Sequence, residues 1–297
     1  MRIAGHTMGT PELTLEEAVR LFARIGLDGI EIIWDDDYRC ALPKRAPADA
    51  AASLARLVAD NGLAVACLTP YMVDIGSADD AVRQRDLDDF SRCIDAAARL
   101  GAPCIRVYGG AYQAASESAE RGGKEDRAVA SLRALGDRAA PAGVTLAVET
   151  HFNTLTCTAE ETARIVRRVD HPRVRVLYDQ PNLEFSEGEP YDVALRLLEC
   201  LVAMVHVKDL VFKEGAAKRF TADKVVKVDE SVRRVRSRIP GEGIVPWPKI
   251  LSVLAAQGFA GWLSLEYERR WHPDDLPPAE DGMRRGAEYI RSVMRAL

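Results

Sequence analysis

The stretch Ala-Gly-Val-Thr-Leu-Ala-Val-Glu-Thr, residues 142–150, decides the fold of this chain. A glycine ends a helix-like segment, a short apolar run follows it, and a charged residue closes that run. The stretches Gly-Leu-Asp-Gly-Ile-Glu at 26–31 and Asn-Gly-Leu-Ala-Val at 61–65 share this rhythm. A helix that ends on glycine and leads into a buried run is typical of a helix followed by a parallel strand. The repetition is not strict, but it predicts consecutive βα units.

Eight such apolar runs lie along the chain and predict strands. They cover residues 2–6, 29–34, 64–69, 104–108, 145–150, 175–179, 204–208 and 262–267. The helical patterns between them cover residues 15–25, 50–61, 86–100, 124–140, 159–169, 191–201, 248–257 and 283–297. Thr158 is a candidate N-cap, with Glu161 at the capping-box position. Eight alternating units without a break in composition predict an α/β fold, a single (β/α)8 TIM barrel domain over residues 1–297.

The composition is ordinary for a soluble protein, with 297 residues, of which 47% are hydrophobic and 29% charged. The formal net charge of -5 argues against a nucleic-acid partner. No apolar run approaches the roughly 20 residues that span a bilayer, and the N-terminus lacks the apolar stretch of a signal peptide. The six cysteines lack paired metal-binding spacing, which predicts free thiols. We therefore expect a cytoplasmic protein without a membrane partner.

Four polar residues close four of the apolar runs: Glu149, Asp179, His206 and Glu266. In a parallel barrel the carboxyl ends of the strands meet at one face, where catalytic groups gather. A strand-end glutamate alone is more often part of a loop salt bridge, but four such residues in register need a common explanation. Buried charges are costly, and a divalent cation would offset that cost. The pattern predicts a metal site with three carboxylates and one imidazole.

The longest irregular stretch is predicted at residues 210–242, as an extended loop after the seventh strand. Its basic residues are Lys213, Lys218, Arg219, Lys224, Lys227, Arg233, Arg234, Arg236 and Arg238. One interpretation is a surface loop that is exposed to solvent. The other is a lid that brings a cation to an anionic substrate or contacts a second subunit.

The chain resembles the xylose-isomerase-like TIM-barrel superfamily of sugar phosphate isomerases and epimerases over essentially its whole length. The resemblance rests on Val148-Glu149, Tyr178-Asp179 with Asn182, His206-Val207-Lys208-Asp209, Gly241-Glu242-Gly243 before Trp247, and Leu265-Glu266. It implies that Glu149, Asp179, His206 and Glu266 bind one divalent ion, such as manganese, magnesium, cobalt or zinc. It also implies a small-molecule sugar or polyol substrate and allows a homo-oligomer.

The resemblance implies proton transfer through an enediolate, with Glu149 and Glu266 as the acid and base. A metal held by adjacent carbonyl and hydroxyl oxygens acidifies the carbon between them. Isomerisation or epimerisation of a sugar, sugar phosphate or related polyhydroxy carbonyl compound is the first expectation. A dehydratase of the inosose or dehydroshikimate type is the alternative. A non-catalytic assembly subunit is disfavoured because a metal site without a function would be costly to keep.

The candidate substrate-binding residues are His6, Arg106, His151, Asn182 and Lys208. Many relatives have a histidine where this chain has Asn182, and an amide cannot transfer a proton. His151 either takes over that role or is a loop residue. Lys208 either contacts substrate or points outward from its strand.

Four smaller expectations concern the surroundings of these residues. Arg106 is expected to pair with Glu149 or Glu31, and Glu31 to line the barrel mouth or make a structural hydrogen bond. Asp209 is expected to hold either His206 or a loop. Gly241 and Gly243 are both expected to supply positive φ angles.

Overall fold

Eight parallel strands close the barrel of this computed structural model, which describes residues 1–113, 117–215 and 233–297. They are β1 (Arg2–His6), β2 (Gly29–Trp34), β4 (Ala64–Thr69), β5 (Cys104–Val107), β6 (Thr145–Glu149), β7 (Val174–Tyr178), β8 (Val202–Val207) and β11 (Trp262–Leu265). Each strand pairs in parallel with the next, and β1 pairs with both β2 and β11, so the sheet closes on itself. A closed barrel leaves none of these strands as a free edge. The predicted (β/α)8 TIM barrel is confirmed.

Helices connect the strands and cover the outside of the barrel. They are α1 (Leu15–Arg24), α2 (Ala48–Asp60), α3 (Asp80–Leu100), α4 (Arg121–Ala139), α5 (Ala159–Val169), α6 (Gln180–Phe185), α7 (Tyr191–Leu197), α8 (Trp247–Ala256) and α9 (Ala279–Arg295). The capping box predicted at Thr158 and Glu161 is present, with both reciprocal hydrogen bonds. Among the helices that the structure describes, none combines the length and the hydropathy of a membrane span.

The predicted strand positions are correct to within two residues, whereas several helix ends differ. Helix α3 begins at Asp80 rather than at residue 86, because the Asp79 side chain accepts hydrogen bonds from the amides of Ala81 and Val82. Helix α7 ends at Leu197 rather than at residue 201. The short strand β3 (Ala41–Leu42) and the short helix α6 were not predicted. Capping contacts and short elements leave little periodic signal in a sequence.

The prediction that residues 210–242 are one irregular loop is wrong in part. The stretch begins and ends in an antiparallel ribbon of β9 (Asp209–Phe212) and β10 (Val235–Arg238). Backbone pairing joins the two arms over four residues each, so these residues are part of a regular ribbon. The basic residues Lys218, Arg219, Lys224 and Lys227 lie outside the described residues. The prediction of a lid at this position therefore rests on the sequence alone.

Asp209 organises the turn that follows the ribbon. Its carboxylate accepts hydrogen bonds from the amides of Gly241, Gly243 and Val245 at 2.9–3.1 Å. Asp209 was expected to hold either His206 or a loop, and the structure shows that it holds the loop. The expectation that both glycines adopt positive φ is wrong: Gly241 has a φ of 96°, whereas Gly243 is needed for space. A Cβ on Gly243 would overlap the Asp209 carboxylate and the Leu210 carbonyl oxygen.

We predict that Gly243→Ala destabilises the protein by about 1–3 kcal/mol, because the added methyl group forces the Asp209 carboxylate out of its place. The measurement is the free energy of unfolding in urea. Gly122→Ala is the matched control, since a Cβ on Gly122, within helix α4, meets no atom within 4 Å. The control should be neutral or stabilising by up to about 1 kcal/mol. Equal stability of Gly243→Ala and the unsubstituted chain would contradict this account of the turn.

Candidate metal centre

The four residues at the strand ends converge at the carboxyl end of the barrel. Glu149 is the last residue of β6, His206 lies next to the end of β8, and Asp179 and Glu266 directly follow β7 and β11. All four side chains are buried. One ligand atom from each lies within 4.8 Å of the others, so the group could hold a single metal ion. We call Glu149, Asp179, His206 and Glu266 the quartet.

The His206 ring is oriented by a carboxylate from another strand of the barrel, that of Glu31 in β2. Its Nε2 atom lies 3.2 Å from Oε1 of the buried Glu31, which also accepts a hydrogen bond from the Thr69 hydroxyl. A proton on Nε2 that is donated to Glu31 leaves a lone pair on Nδ1. Metal-binding histidines in proteins usually donate their second ring N–H to a carboxylate, a backbone carbonyl or a water molecule. Glu31 therefore fixes the ring with Nδ1 facing the centre of the quartet.

Each carboxylate of the quartet turns one oxygen toward Nδ1 of His206. The distances from Nδ1 are 3.3 Å to Glu149 Oε1, 3.6 Å to Asp179 Oδ2 and 3.4 Å to Glu266 Oε1. The second oxygen of each carboxylate is held by a donor of the protein. Arg106 lies 3.1 Å from Glu149 Oε2, and the backbone N–H of Asn182 lies 2.9 Å from Asp179 Oδ1. Lys208 Nζ lies 2.7 Å from Glu266 Oε2. The three carboxylates are thus held so that one oxygen of each faces a common point.

The donor atoms at this point fit a divalent cation. Within the described part of the chain, neither His206 Nδ1 nor Asp179 Oδ2 has a hydrogen-bond partner, although both are buried. Three carboxylate oxygens around a lone pair repel one another unless a positive charge lies between them. Burial would lower the pKa of His206, but Glu266 and Glu31 raise it well above its usual range. The site thus favours a positive charge at Nδ1, which a metal ion supplies as well as a proton.

Glu149 is kept ionised by cations on one side. The buried Arg106 guanidinium donates to it and packs 3.8 Å from the centroid of the Tyr108 ring. Burial would raise the pKa of Glu149, but the basic groups around it, Arg106 and His206 among them, lower it to about 2. Of the two partners expected for Arg106, Glu149 is the one found. The carboxylate is therefore available as a metal ligand or a proton acceptor at neutral pH.

Lys208 points into the site rather than outward. Its ammonium lies 2.7 Å from Glu266 Oε2 and 3.0 Å from Asp179 Oδ2, and it donates to the side-chain oxygen of Asn182 at 3.1 Å. The strand β8 ends at Val207, so the alternation of side chains does not continue to Lys208. Burial would raise the pKa of Glu266, but His206 and Lys208 hold it well below its usual range.

Asp179 has two structural functions at once, because it is both a quartet member and the N-cap of helix α6. Its Oδ1 accepts from the Asn182 amide, as an N-cap does, and this leaves Oδ2 for the quartet. The Asn182 side chain donates to Glu149 at 3.3 Å and to the Thr150 carbonyl at 3.0 Å. Asn182 therefore lies within the site and links two of its carboxylates.

His151 and His6 flank the quartet. Nδ1 of His151 lies 2.9 Å from the Phe152 carbonyl oxygen, so it carries the proton and Nε2 is an acceptor. Burial lowers the pKa of His151 to about 4, which keeps the ring neutral. His6 accepts from the Met8 amide through Nδ1, and its Nε2 lies 3.7 Å from Glu31. His6 therefore faces Glu31, behind His206.

Two residues of the site carried little sequence signal. The sequence allowed two interpretations of Glu31, a place at the barrel mouth or a structural hydrogen bond. The structure shows the hydrogen bond, and this bond orients His206. Glu268 was not singled out, yet it contacts Lys208 at 3.2 Å. Both contacts join residues far apart in the chain, and only the closed barrel brings them together.

Several curated relatives match this chain over part of its length. The rhizopine catabolism protein MocC of Rhizobium meliloti is 34% identical over 138 residues, which are 46% of this chain and 41% of that protein. The inosose dehydratase of Geobacillus thermodenitrificans is 29% identical over 168 residues, 57% of this chain and 54% of the relative. In these alignments the chain spans about half the length of the curated relatives that it matches.

Solved structures with the same fold cover nearly the whole chain. A D-psicose 3-epimerase solved in the presence of D-fructose matches with a TM-score of 0.76 at 20% identity, covering 99% of both chains. The probable 3-DHS dehydratase AsbF of Bacillus anthracis matches with a TM-score of 0.74 at 18% identity, covering 98% of this chain and 99% of the other. At this level of identity the likeness shows the fold alone.

A family model described as a xylose isomerase-like TIM barrel matches residues 19–293. The match includes all four quartet residues and seven of the eight barrel strands, from β2 to β11. The resemblance that the sequence motifs indicated is confirmed, and this chain belongs to the xylose isomerase-like TIM barrel family.

Proposed function

We propose that this protein is a divalent-metal-dependent isomerase or epimerase that acts on a sugar, sugar phosphate or related polyhydroxy carbonyl compound. The observation that carries the proposal is the quartet, in which three carboxylate oxygens surround Nδ1 of His206. When bound there, the metal would polarise a substrate carbonyl and acidify the neighbouring C–H bond. Glu149, Asp179, His206 and Glu266 are the residues that would hold it.

Glu149 and Glu266 are the proposed acid and base of the reaction. They come from β6 and from the end of β11, and β7 and β8 lie between those strands in the barrel. The two carboxylates therefore approach the centre of the site from different sides. Carboxylates placed on opposite faces of a substrate can remove a proton on one face and return it on the other, which inverts a carbon centre.

The remaining polar side chains are proposed to bind the substrate. Arg106 and Lys208 are buried cations that can donate to substrate oxygens as negative charge develops. Asn182 offers an amide to a hydroxyl group, and His151 presents an unprotonated Nε2. We also propose a substrate contact for His6, although in the structure its ring is buried beside the Glu31 carboxylate.

Dehydration is the second candidate, and the position of Lys208 favours it. An ammonium 2.7 Å from Glu266 can protonate a leaving hydroxyl while the glutamate takes the proton from the adjacent carbon, so that water is lost. Epimerisation needs no such donor. The relatives named inosose dehydratase support the same candidate. Both candidates begin with removal of a proton next to a carbonyl group.

The proposal has further parts that follow from the same reasoning. Manganese is the proposed ion, with magnesium, cobalt and zinc as alternatives that suit the same ligand types. We propose a small-molecule sugar or polyol as the partner, with no nucleic acid, and a cytoplasmic location. A homo-oligomer and a single domain over residues 1–297 remain predictions.

We predict that the purified protein binds one Mn²⁺ ion per chain. His206→Ala should weaken binding by about 100-fold or more, because it removes the only nitrogen ligand of the quartet. The measurement is isothermal titration calorimetry of metal-free protein with MnCl2, together with elemental analysis. His171→Ala is the control, since His171 lies 3.5 Å from Asp137 and away from the quartet. An unsubstituted chain that binds no Mn²⁺ would rule out the metal site.

We predict that Glu149→Gln and Glu266→Gln each lower turnover by about 100-fold or more, because an amide cannot accept the substrate proton. The measurement is deuterium incorporation from D2O into a panel of ketohexoses and inososes, followed by mass spectrometry. Glu280→Gln is the control, because Glu280 pairs with Arg24 on the surface. Exchange that persists in both active-site variants would contradict the two-glutamate mechanism.

The same mass spectra separate the two candidate reactions. A product of unchanged mass, apart from deuterium, supports isomerisation or epimerisation. A product lighter by one water molecule supports dehydration.

A further inference from the structure

The ammonium of Lys208 has more acceptors than it has protons. Its three N–H groups donate to Asn182 Oδ1 at 3.1 Å, Glu266 Oε2 at 2.7 Å and Glu268 Oε1 at 3.2 Å. A fourth oxygen, Oδ2 of Asp179, lies 3.0 Å away and has no hydrogen bond among the described residues. Lys208 is thus shared between two quartet carboxylates and two side chains outside the quartet.

A divalent ion held by the quartet would change this balance. The ion would bind Asp179 Oδ2, the atom that lies 3.0 Å from the ammonium, so two cations would share one carboxylate oxygen and repel each other in a buried site. The ammonium then needs a carboxylate that is not a metal ligand. Glu268 is the described carboxylate outside the quartet that meets this condition, because its Oε1 already accepts from Lys208.

Glu268 is itself held in place by the ribbon of β9 and β10. Its Oε2 accepts from the hydroxyl of Ser237, which lies in β10, at 3.2 Å. The Ser237 amide donates to Asp275 at 2.9 Å, and Arg233 binds Asp275 at 2.6 Å. We call Glu268, Ser237 and Asp275 the lysine anchor. Through the lysine anchor, the base of the ribbon is joined to Lys208.

The anchor is buried enough for its charges to matter. The Lys208 side chain is 9% exposed and that of Glu268 26%, whereas fully exposed ion pairs contribute little. Loss of one partner from a buried pair leaves an uncompensated charge. Removal of the Glu268 charge would therefore be felt most when a second cation already occupies the quartet.

We propose that Glu268 is a positioning residue that holds the Lys208 ammonium beside the metal ion, and that the β9–β10 ribbon supports it through Ser237. This inference rests on the proposed metal site. Glu268 acts through Lys208 and does not bind the ion. Its contribution to metal affinity consequently depends on the presence of the lysine.

We predict that Glu268→Gln weakens Mn²⁺ binding about tenfold, because Lys208 loses the carboxylate that holds it when the ion is bound. In the Lys208→Met chain no ammonium competes with the ion. There, the same Glu268→Gln change should alter the affinity less than about twofold. The measurement is calorimetric titration with MnCl2 of the full-length single and double variants, which needs no substrate.

Ser237→Ala is a second, milder variant that keeps every charge. It removes the hydroxyl that holds Glu268 Oε2 and should weaken Mn²⁺ binding about threefold, again only when Lys208 is present. Ser131→Ala is its matched control, because the Ser131 hydroxyl donates to the Ile75 carbonyl away from the quartet. Glu280→Gln controls for the loss of a glutamate charge. Circular dichroism and thermal unfolding establish that each variant is folded.

The outcomes separate this inference from the proposed function. Absence of Mn²⁺ binding in the unsubstituted chain overturns the metal site itself. The positioning role is overturned in two cases, both with normal Mn²⁺ binding by the unsubstituted chain. In the first, Glu268→Gln and Ser237→Ala do not change the Mn²⁺ affinity. In the second, they weaken it equally with and without Lys208. A loss confined to the chains that contain Lys208 supports it.

Discussion

The arrangement of the strand ends depends on one constraint, the excess of buried negative charge around His206. Four buried carboxylates, from Glu31 and the three acidic quartet residues, meet two permanent cations, Arg106 and Lys208. Such a group is costly in a protein interior unless further positive charge is present. A divalent ion would supply the remaining two charges. The ion-pair network and the orientation of His206 both follow from this need.

The barrel accommodates this excess of negative charge because the two oxygens of each quartet carboxylate make different contacts. One oxygen faces Nδ1 of His206, while the other is held by Arg106, by the Asn182 amide or by Lys208. Parallel strands that end at the same level bring these groups together, although they lie far apart in the chain. The donors limit the rotation of each carboxylate, and such preorganisation lowers the cost of ion binding.

Much of this arrangement could be predicted from the sequence, because buried strands and helices have periodic patterns. The eight strands and the positions of Glu149, Asp179, His206 and Glu266 at their ends follow from short apolar runs closed by a polar residue. The direction of Lys208 could not be predicted, because it lies one residue beyond the end of β8, where strand alternation no longer applies. The contacts of Glu31 with His206 and of Glu268 with Lys208 depend on barrel closure, which leaves no local pattern.

The fold and the family are shared by enzymes with different outcomes, so the chemistry must be decided at the quartet and its neighbours. The most direct test of the central claim is an anomalous difference map from crystals soaked in MnCl2. We predict one peak per chain, bounded by His206 Nδ1, Asp179 Oδ2, Glu149 and Glu266, with Lys208 in contact with Glu268. The absence of a peak there, with Lys208 still shared between Asp179 and Glu266, would contradict this account.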